Sequence, residues 1–196
     1  MGALTVGHPA GYGPGWDDLV RIWQETDVPE GCKVEIIEGV ITVSPSPAKQ
    51  HNLIAAKVAR RLLAAIPDDW NVFQTQAVSL PSRLGMFIPD LVVAAEAELD
   101  GPGTDMPAGA AELVVEVTSP SNARHDRISK PAAYATAGIP LYLLIDRWAP
   151  GGPTITLYGE PRGDVYRVLS ACKFGEPIKL PEPFDLEIDT SAFPVD

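Results

Sequence analysis

Three carboxylates stand inside apolar segments of the sequence, where ordinary core residues are expected. Asp90 lies directly before the run LVVAA, Glu116 lies within LVVEV, and Glu35 lies within VEII. Lys130 follows Glu116 near the start of a predicted helix. Burial of a lone carboxylate costs on the order of several kcal/mol. The sequence therefore predicts that each of these groups has a partner close by.

The spacing of Asp90 and Glu116 indicates a specific chemistry. The two residues stand on predicted strands of one sheet, and if these strands are neighbours, both side chains project to the same end and face. Close carboxylates repel unless a cation compensates them. Oxygen ligands suit Mg²⁺ or Mn²⁺, and such an ion lowers the pKa of a bound water and stabilises charge on a phosphoryl oxygen. A nearby Lys130 could orient that water.

Asp90, Glu116 and Lys130 together therefore predict metal-dependent phosphodiester hydrolysis. The alternative is purely structural. In that interpretation Asp90 stands at a strand start, and Glu116 forms an ion pair with Lys130 or an arginine.

The charge balance of the chain weighs against broad contact with nucleic acid. The 196 residues include 15 Lys and Arg against 26 Asp and Glu, which gives a net charge of −11. Such a protein is repelled by nucleic acid unless a local basic patch compensates. Basic residues near the proposed site and on the long helix are Arg124, His125, Arg127, Lys130, Arg60 and Arg61. They form either such a patch or a solvated charged surface, and no aromatic platform for a single strand is evident.

The composition also limits the cellular location and the number of domains that the sequence predicts. The sequence contains no apolar run near the roughly 20 residues that a membrane span needs, and no signal-peptide pattern at its start. Cys32 and Cys172 have no second cysteine nearby, which is typical of reduced thiols. We therefore expect a cytoplasmic protein without membrane contact. Residues 1–15 are rich in Gly and Pro and predict a flexible leader, and residues 16–196 predict a single domain.

The periodicity of apolar residues predicts an α/β domain with a mixed sheet. Helices are predicted at 16–26, 48–66 and 127–137, the last ending at Gly138. Strands are predicted at 70–80, 87–95, 111–118, 140–146, 154–158 and 164–170, with a hairpin that turns near Glu38-Gly39 and a loop at 101–109. The β-α-β order of residues 111–146 predicts at least one parallel strand pair.

An ordered set of residues resembles a known family. The set is Pro89-Asp90, the segment EVTSPS from Glu116, then Asp126, Lys130, Tyr134 and the segment GIPLYLLID. It is similar to the Uma-type restriction endonuclease family of bacteria, within the PD-(D/E)xK nuclease superfamily. The resemblance runs from about residue 16 to 193. It implies a restriction-endonuclease-like mixed central sheet flanked by helices, with an N-terminal β-hairpin and a C-terminal β-meander.

The resemblance also implies roles for individual residues. Asp90 and Glu116 would be Mg²⁺ ligands, and Glu35 a third ligand, bound directly or through water. The superfamily lysine is replaced by Thr118, and Lys130 would reach the site from the following helix to assist the nucleophilic water.

Four further residues bear on this prediction. His51 matches a family histidine, although taken alone it is a helix cap or a surface residue. Asp126 caps the helix or touches the metal, and Tyr134 is expected beside Lys130. Pro131 is tolerated only in a first turn, so the helix is expected to begin near residue 129, which would alter the reach of Lys130.

Two functional hypotheses follow from the sequence. The first is a Mg²⁺- or Mn²⁺-dependent endonuclease that hydrolyses DNA, for which the relatives suggest a homodimer. The second is a nuclease-fold binding or regulatory protein with weak or absent catalysis. Hydrolysis of another phosphodiester, such as RNA or a nucleotide, is a third interpretation.

Overall fold

The structure is a computed structural model that describes residues 4–6 and 15–195, with side chains from residue 15 onward. Most of the predicted leader, residues 1–15, lies outside the described residues. Three α-helices are present in the described part: α1 (Trp16–Glu25), α2 (Lys49–Leu63) and α3 (Lys130–Ala137). All three lie within the ranges that the sequence predicted for them.

The strands form two sheets and one hairpin. In chain order they are β1 (Leu4–Val6), β2 (Lys33–Ile37), β3 (Val40–Ser44), β4 (Trp70–Phe73), β5 (Ala77–Leu80), β6 (Gly85–Phe87), β7 (Leu91–Ala95), β8 (Asp105–Pro107), β9 (Leu113–Val117), β10 (Leu141–Asp146), β11 (Thr154–Arg162), β12 (Val165–Lys173), β13 (Ile178–Leu180) and β14 (Leu186–Ile188). The first sheet has the order β1-β3-β2-β6-β5-β8 and the second β12-β11-β10-β9-β7-β4, while β13 pairs with β14.

The second sheet is mixed, as predicted. Strand β9 pairs in parallel with β10 and antiparallel with β7, so it lies in the interior of the sheet. Helix α3 connects β9 to β10, which confirms the predicted β-α-β unit. Strands β11 and β12 extend the sheet as the predicted C-terminal meander.

Three predicted boundaries were wrong. The predicted strand 70–80 divides at Thr75, which has a positive φ of 56°, so β4 joins the second sheet and β5 the first. The predicted strand 87–95 divides at Pro89, which cannot donate to a sheet ladder. The predicted loop 101–109 contains β8, which pairs in parallel with β5 and buries Met106.

The apolar faces of β9 pack against different helices. Leu113, Val115 and Val117 belong to the same buried cluster as the apolar side chains of α2. Val114 belongs to a second cluster with Tyr134 of α3. Because side chains alternate along a strand, Glu116 lies on the face of Val114, toward α3. Strand β9 is thus apolar on both faces except for Glu116, which lies on the face that packs against α3.

The N-terminal hairpin is confirmed with its predicted turn. Strands β2 and β3 pair antiparallel, and Glu38 and Gly39 adopt φ angles of 52° and 79°. Two successive positive φ angles are typical of a tight hairpin turn. The hairpin carries Lys33 and Glu35 on one face of β2. No helix of the described chain is long and apolar enough to span a membrane.

Candidate active site

Asp90 and Glu116 come together because their strands are neighbours. Leu91 pairs with Val115 across β7 and β9, which sets Asp90 level with Glu116. The backbone N–H of Val117 donates to Asp90 Oδ2 at 2.8 Å. Both side chains are buried, at 8% and 1% exposure. The predicted convergence of the two carboxylates is therefore present.

Lys130 lies at the centre of a buried carboxylate cluster. Its Nζ is 2.9 Å from Glu116 Oε1, 3.0 Å from Glu35 Oε1 and 3.2 Å from Asp126 Oδ1. Burial alone lowers the pKa of Lys130, but the charges of the carboxylates outweigh it and raise the pKa well above its ordinary value. Lys130 therefore carries its charge at every physiological pH.

The reach of Lys130 is compatible with Pro131. Helix α3 begins at Lys130 itself, which puts Pro131 in the first turn, where its missing N–H is tolerated. One turn of π-helix, His125–Ser129, precedes it. The α-helix thus starts later than the predicted residue 127, and Lys130 at its first position points inward to the carboxylates.

Tyr134 lies one turn beyond Lys130, as predicted, and contacts the same carboxylate. Its hydroxyl donates to Glu116 Oε1 at 2.9 Å. Its ring packs edge-on against Phe87 at a centroid distance of 5.4 Å. Burial, followed by the charge of Glu116, raises the pKa of Tyr134 well above its ordinary value, so the hydroxyl remains a donor.

Tyr134→Phe is expected to lower the free energy of unfolding by about 1.5–3 kcal/mol, since a hydrogen bond to a charged acceptor is lost. Tyr166→Phe is the matched control, because that hydroxyl donates to the neutral carbonyl of Ile139 at 2.7 Å. The control should lose only about 0.5–1.5 kcal/mol. Urea unfolding measures both, and equal losses would contradict a charged Glu116.

Asp126 does not cap a helix, so that sequence alternative is wrong. Neither helical segment has a side-chain N-cap bond, and Asp126 is fully buried. Its Oδ1 is within ion-pair distance of Lys130, yet neither oxygen has hydrogen-bond geometry to any described residue. Burial outweighs the charge of Lys130 and raises the pKa of Asp126 well above its ordinary value. The neutral acid is therefore favoured at this position.

Asp90 is held by a separate pair of side chains, a lysine and a histidine. Lys33 Nζ donates to Asp90 Oδ1, and His51 Nε2 lies 3.1 Å from the same oxygen. Burial raises the pKa of Asp90, but the hydrogen bond from His51 and the charge of Lys33 outweigh it and lower the pKa below its ordinary value. His51 is 5% exposed at the first turn of α2. It is therefore a buried partner of Asp90, and its interpretation as a cap or a surface residue is wrong.

Four carboxyl groups meet two ammonium groups in this region. The carboxyls belong to Glu35, Asp90, Glu116 and Asp126, and the ammonium groups to Lys33 and Lys130. The carboxyl groups outnumber the lysines by two, and burial raises the pKa of Glu116 despite Lys130. Buried charge without compensation is costly, so protons or a cation must supply the difference.

The comparisons with known proteins give the family and the fold of the chain. The family model Uma2, described as "Putative restriction endonuclease", matches residues 16–192. The chain belongs to the Uma2 family. Its Asp90, Glu116 and Lys130 all lie within the matched segment.

A solved structure shares the fold. It is described as "a putative nuclease belonging to DUF820" from Anabaena variabilis, and it is 16% identical to this chain. The likeness covers 92% of this chain and 97% of that chain, with a TM-score of 0.67. At this identity it confirms the fold alone. A comparison with curated protein sequences finds no match.

Lys33 is the site residue that the sequence analysis missed. It contacts Asp90 Oδ1 and also donates to the Ile88 carbonyl at 3.2 Å. The signal was available, because Lys33 and Glu35 are two residues apart on a predicted strand and so share one face. A lysine on the same face of the strand as Glu35 is therefore expected near the same carboxylates.

Thr118 belongs to a second network. Its hydroxyl donates to Asp146 Oδ1 at 3.0 Å and accepts the Arg147 backbone N–H at 3.0 Å. Arg127 donates to both Asp146 oxygens at 2.7 and 2.8 Å. This network ties the segments that follow β9 and β10 to each other.

Two of the basic residues that the sequence placed near the site have acidic partners. Arg127 is paired with Asp146, and Lys130 is buried among carboxylates. Arg60 and Arg61 lie in the last turn of α2, about 14 Å along the helix from His51. The default interpretation, solvated surface charge, fits the two helix arginines.

Proposed function

We propose that the chain is a metal-dependent nuclease that hydrolyses DNA phosphodiester bonds, with a PD-(D/E)xK-type site. Asp90 and Glu116 would hold Mg²⁺ or Mn²⁺, with Glu35 as a third, direct or water-mediated ligand. The observation that carries the proposal is the placement of Asp90 level with Glu116 on adjacent strands, within a cluster whose carboxyls outnumber its lysines. Membership of the Uma2 family supports it.

The donor chemistry fits a hard divalent cation. All candidate ligands are carboxylate oxygens, which Mg²⁺ and Mn²⁺ prefer. The described contacts of Glu116 and Glu35 all use Oε1, and a carboxylate offers further lone pairs. In the described residues no three His, Cys, Asp or Glu side chains form a ready metal cage. Mg²⁺ commonly binds through one or two carboxylates and keeps several waters.

The two lysines would have different roles. Lys130 is surrounded by three carboxylates within 3.2 Å, so its ammonium would position Glu35 and Glu116 rather than contact water or substrate. Lys33 is 16% exposed and lines two surface clefts, which places its ammonium where a substrate phosphate could bind. His51 would orient the Asp90 carboxylate through Nε2. The bound cation would supply an activated water and charge stabilisation on the phosphoryl oxygen.

Metal removal tests the proposal directly. We expect the purified protein to cleave DNA in Mg²⁺ or Mn²⁺, to lose cleavage in EDTA, and to regain it when the metal is restored. Glu116→Gln, purified in parallel, controls for a contaminating nuclease. Cleavage in EDTA, or equal cleavage by the wild type and Glu116→Gln, would overturn the proposal.

A second candidate is a nuclease-fold binding module without catalysis. The observation that favours it is the engagement of Asp90 Oδ1 by both Lys33 and His51, which satisfies the carboxylate without a metal. Calorimetric titration with Mn²⁺ separates the two candidates. Heat that disappears in Asp90→Asn supports the nuclease, while its absence in the wild type supports the binding module.

A further inference from the structure

Two surface clefts flank the side chains that hold Asp90. The first has a volume of about 320 Å³ and the second about 580 Å³. Lys33, Pro47 and His51 line both clefts, and Asp90 lines the second. A chain molecule that crossed from one cleft to the other would therefore pass over the Lys33 ammonium, directly beside the Asp90 carboxylate.

The loops that follow the parallel strands β9 and β10 build one part of the first cleft, and residues 44–48 at the end of β3 build another. Residues 119–122 after β9 and Arg147 and Trp148 after β10 line it. In α/β sheets, ligands bind outside the carboxyl ends of the strands. The indole of Trp148 is 43% exposed, and the Arg147 guanidinium lies 5.8 Å from the ring centroid. Trp148 thus presents an aromatic ring at the cleft, although no such platform was evident in the sequence.

The backbone of Trp148 is fixed at both polar groups. Its N–H donates to Asp146 Oδ1 at 3.1 Å, and its carbonyl accepts from Arg127 Nη2 at 2.8 Å. Asp146 is in turn held by Thr118. The backbone that carries the ring is therefore anchored to the sheet that carries Glu116.

Two buried polar atoms among the cleft residues have no hydrogen-bond partner in the described chain. They are Ser44 Oγ and His51 Nδ1, on side chains that are 4% and 5% exposed. Buried polar groups are almost always hydrogen-bonded, so each of these atoms needs a partner that the described residues do not supply. The Trp148 ring and the Lys33 ammonium, which line the same cleft, match the base and the phosphate of a nucleotide.

We propose that the first cleft binds one unpaired nucleotide next to the scissile phosphate, with its base stacked on Trp148. The substrate class is then single-stranded or locally unpaired nucleic acid, which rests on and narrows the nuclease function proposed above. A base within a duplex cannot reach such a ring without being extruded from its stack. A net charge of −11 also disfavours the many phosphate contacts of an extended duplex interface.

Binding in EDTA tests this inference without cleavage. The probes are fluorescein-labelled oligothymidylate, oligouridylate of the same length, and a hairpin duplex. We expect wild-type protein to bind the single strands about tenfold or more tightly than the duplex, with quenching of Trp148 emission. Trp148→Ala should weaken single-strand binding about 5- to 100-fold, because one base stack is lost.

Matched variants make the result specific to stacking. Trp148→Phe keeps a ring and should retain most of the affinity, whereas Trp148→Leu keeps an apolar side chain and should bind as weakly as Trp148→Ala. Val165→Ala, at a 61% exposed position on β12 that lines neither cleft, should bind as the wild type does. Equal binding of duplex and single strand, or full affinity in Trp148→Ala, would overturn the inference. The relative affinities of the two single strands decide between DNA and RNA.

The failures of the two proposals are distinguishable. If metal-dependent cleavage is unchanged in Trp148→Ala and is faster on duplex than on single strands, the nuclease function is supported. The same result would overturn the proposal that the first cleft binds an unpaired nucleotide. Trp148-dependent binding of single strands without cleavage in any metal supports the cleft and overturns the nuclease.

Discussion

Asp90→Asn is expected to lower the rate of DNA cleavage by about a thousand-fold, since a ligand that stabilises charge in the transition state contributes several kcal/mol and each 1.36 kcal/mol is tenfold in rate. The substitution keeps the size of the side chain and an oxygen that can accept the Val117 N–H bond. It removes the negative charge that faces Lys33 and would bind the metal. The loss should therefore be in catalysis and metal binding, together with some loss of stability, because Lys33 loses its buried charged partner.

Single-turnover cleavage in Mn²⁺ measures this effect, with calorimetry as a second readout. Asp100→Asn is the matched control, because Asp100 is exposed and lies beyond the far end of β7. The control should cleave and bind Mn²⁺ as the wild type does. A fully active Asp90→Asn, with the fold verified by circular dichroism, would remove Asp90 from the site and leave its ion pair with Lys33 as a structural feature.

Lys130→Met is expected to lower the free energy of unfolding by about 3–5 kcal/mol, because removal of one partner from a buried charge cluster leaves the others uncompensated. Glu35, Glu116 and Asp126 would lose the ammonium that lies within 3.2 Å of each. Methionine preserves most of the buried length of the side chain, so the loss of charge dominates. Urea unfolding at neutral pH measures the change.

Lys179→Met is the control for a lysine in an exposed ion pair. Lys179 lies 3.3 Å from Asp185, and both side chains are about 70% exposed, so this substitution should cost less than about 1 kcal/mol. If Lys130→Met does not fold, the double variant with Glu116→Gln provides the test. It should recover part of the stability, since one uncompensated charge is removed. An unchanged stability in Lys130→Met, or no recovery in the double variant, would contradict the electrostatic role.

Local patterns predicted the elements that carry the site better than the sheets that join them. Helix α2, the β2–β3 hairpin and the β9-α3-β10 unit follow from apolar periodicity and turn residues, which are properties of short segments. The division of residues 70–95 between two sheets could not be predicted in this way. Strand β6 pairs with β2 and β7 pairs with β9, and in each case other elements separate the two partners in the sequence.

The sequence by itself indicated that Asp90, Glu116, Glu35 and Lys130 each need a partner, because charged residues within apolar strands and a first helical turn must be partnered when buried. Only the tertiary structure decided how the partners are shared. Lys130 contacts the carboxyl groups of Glu35, Glu116 and Asp126, whereas Lys33 and His51 contact that of Asp90. The tertiary structure also places the exposed ring of Trp148 in the same cleft as Lys33, which the sequence did not indicate. Pairing among close charges depends on distances below about 4 Å, and strand registers and helix starts set those distances.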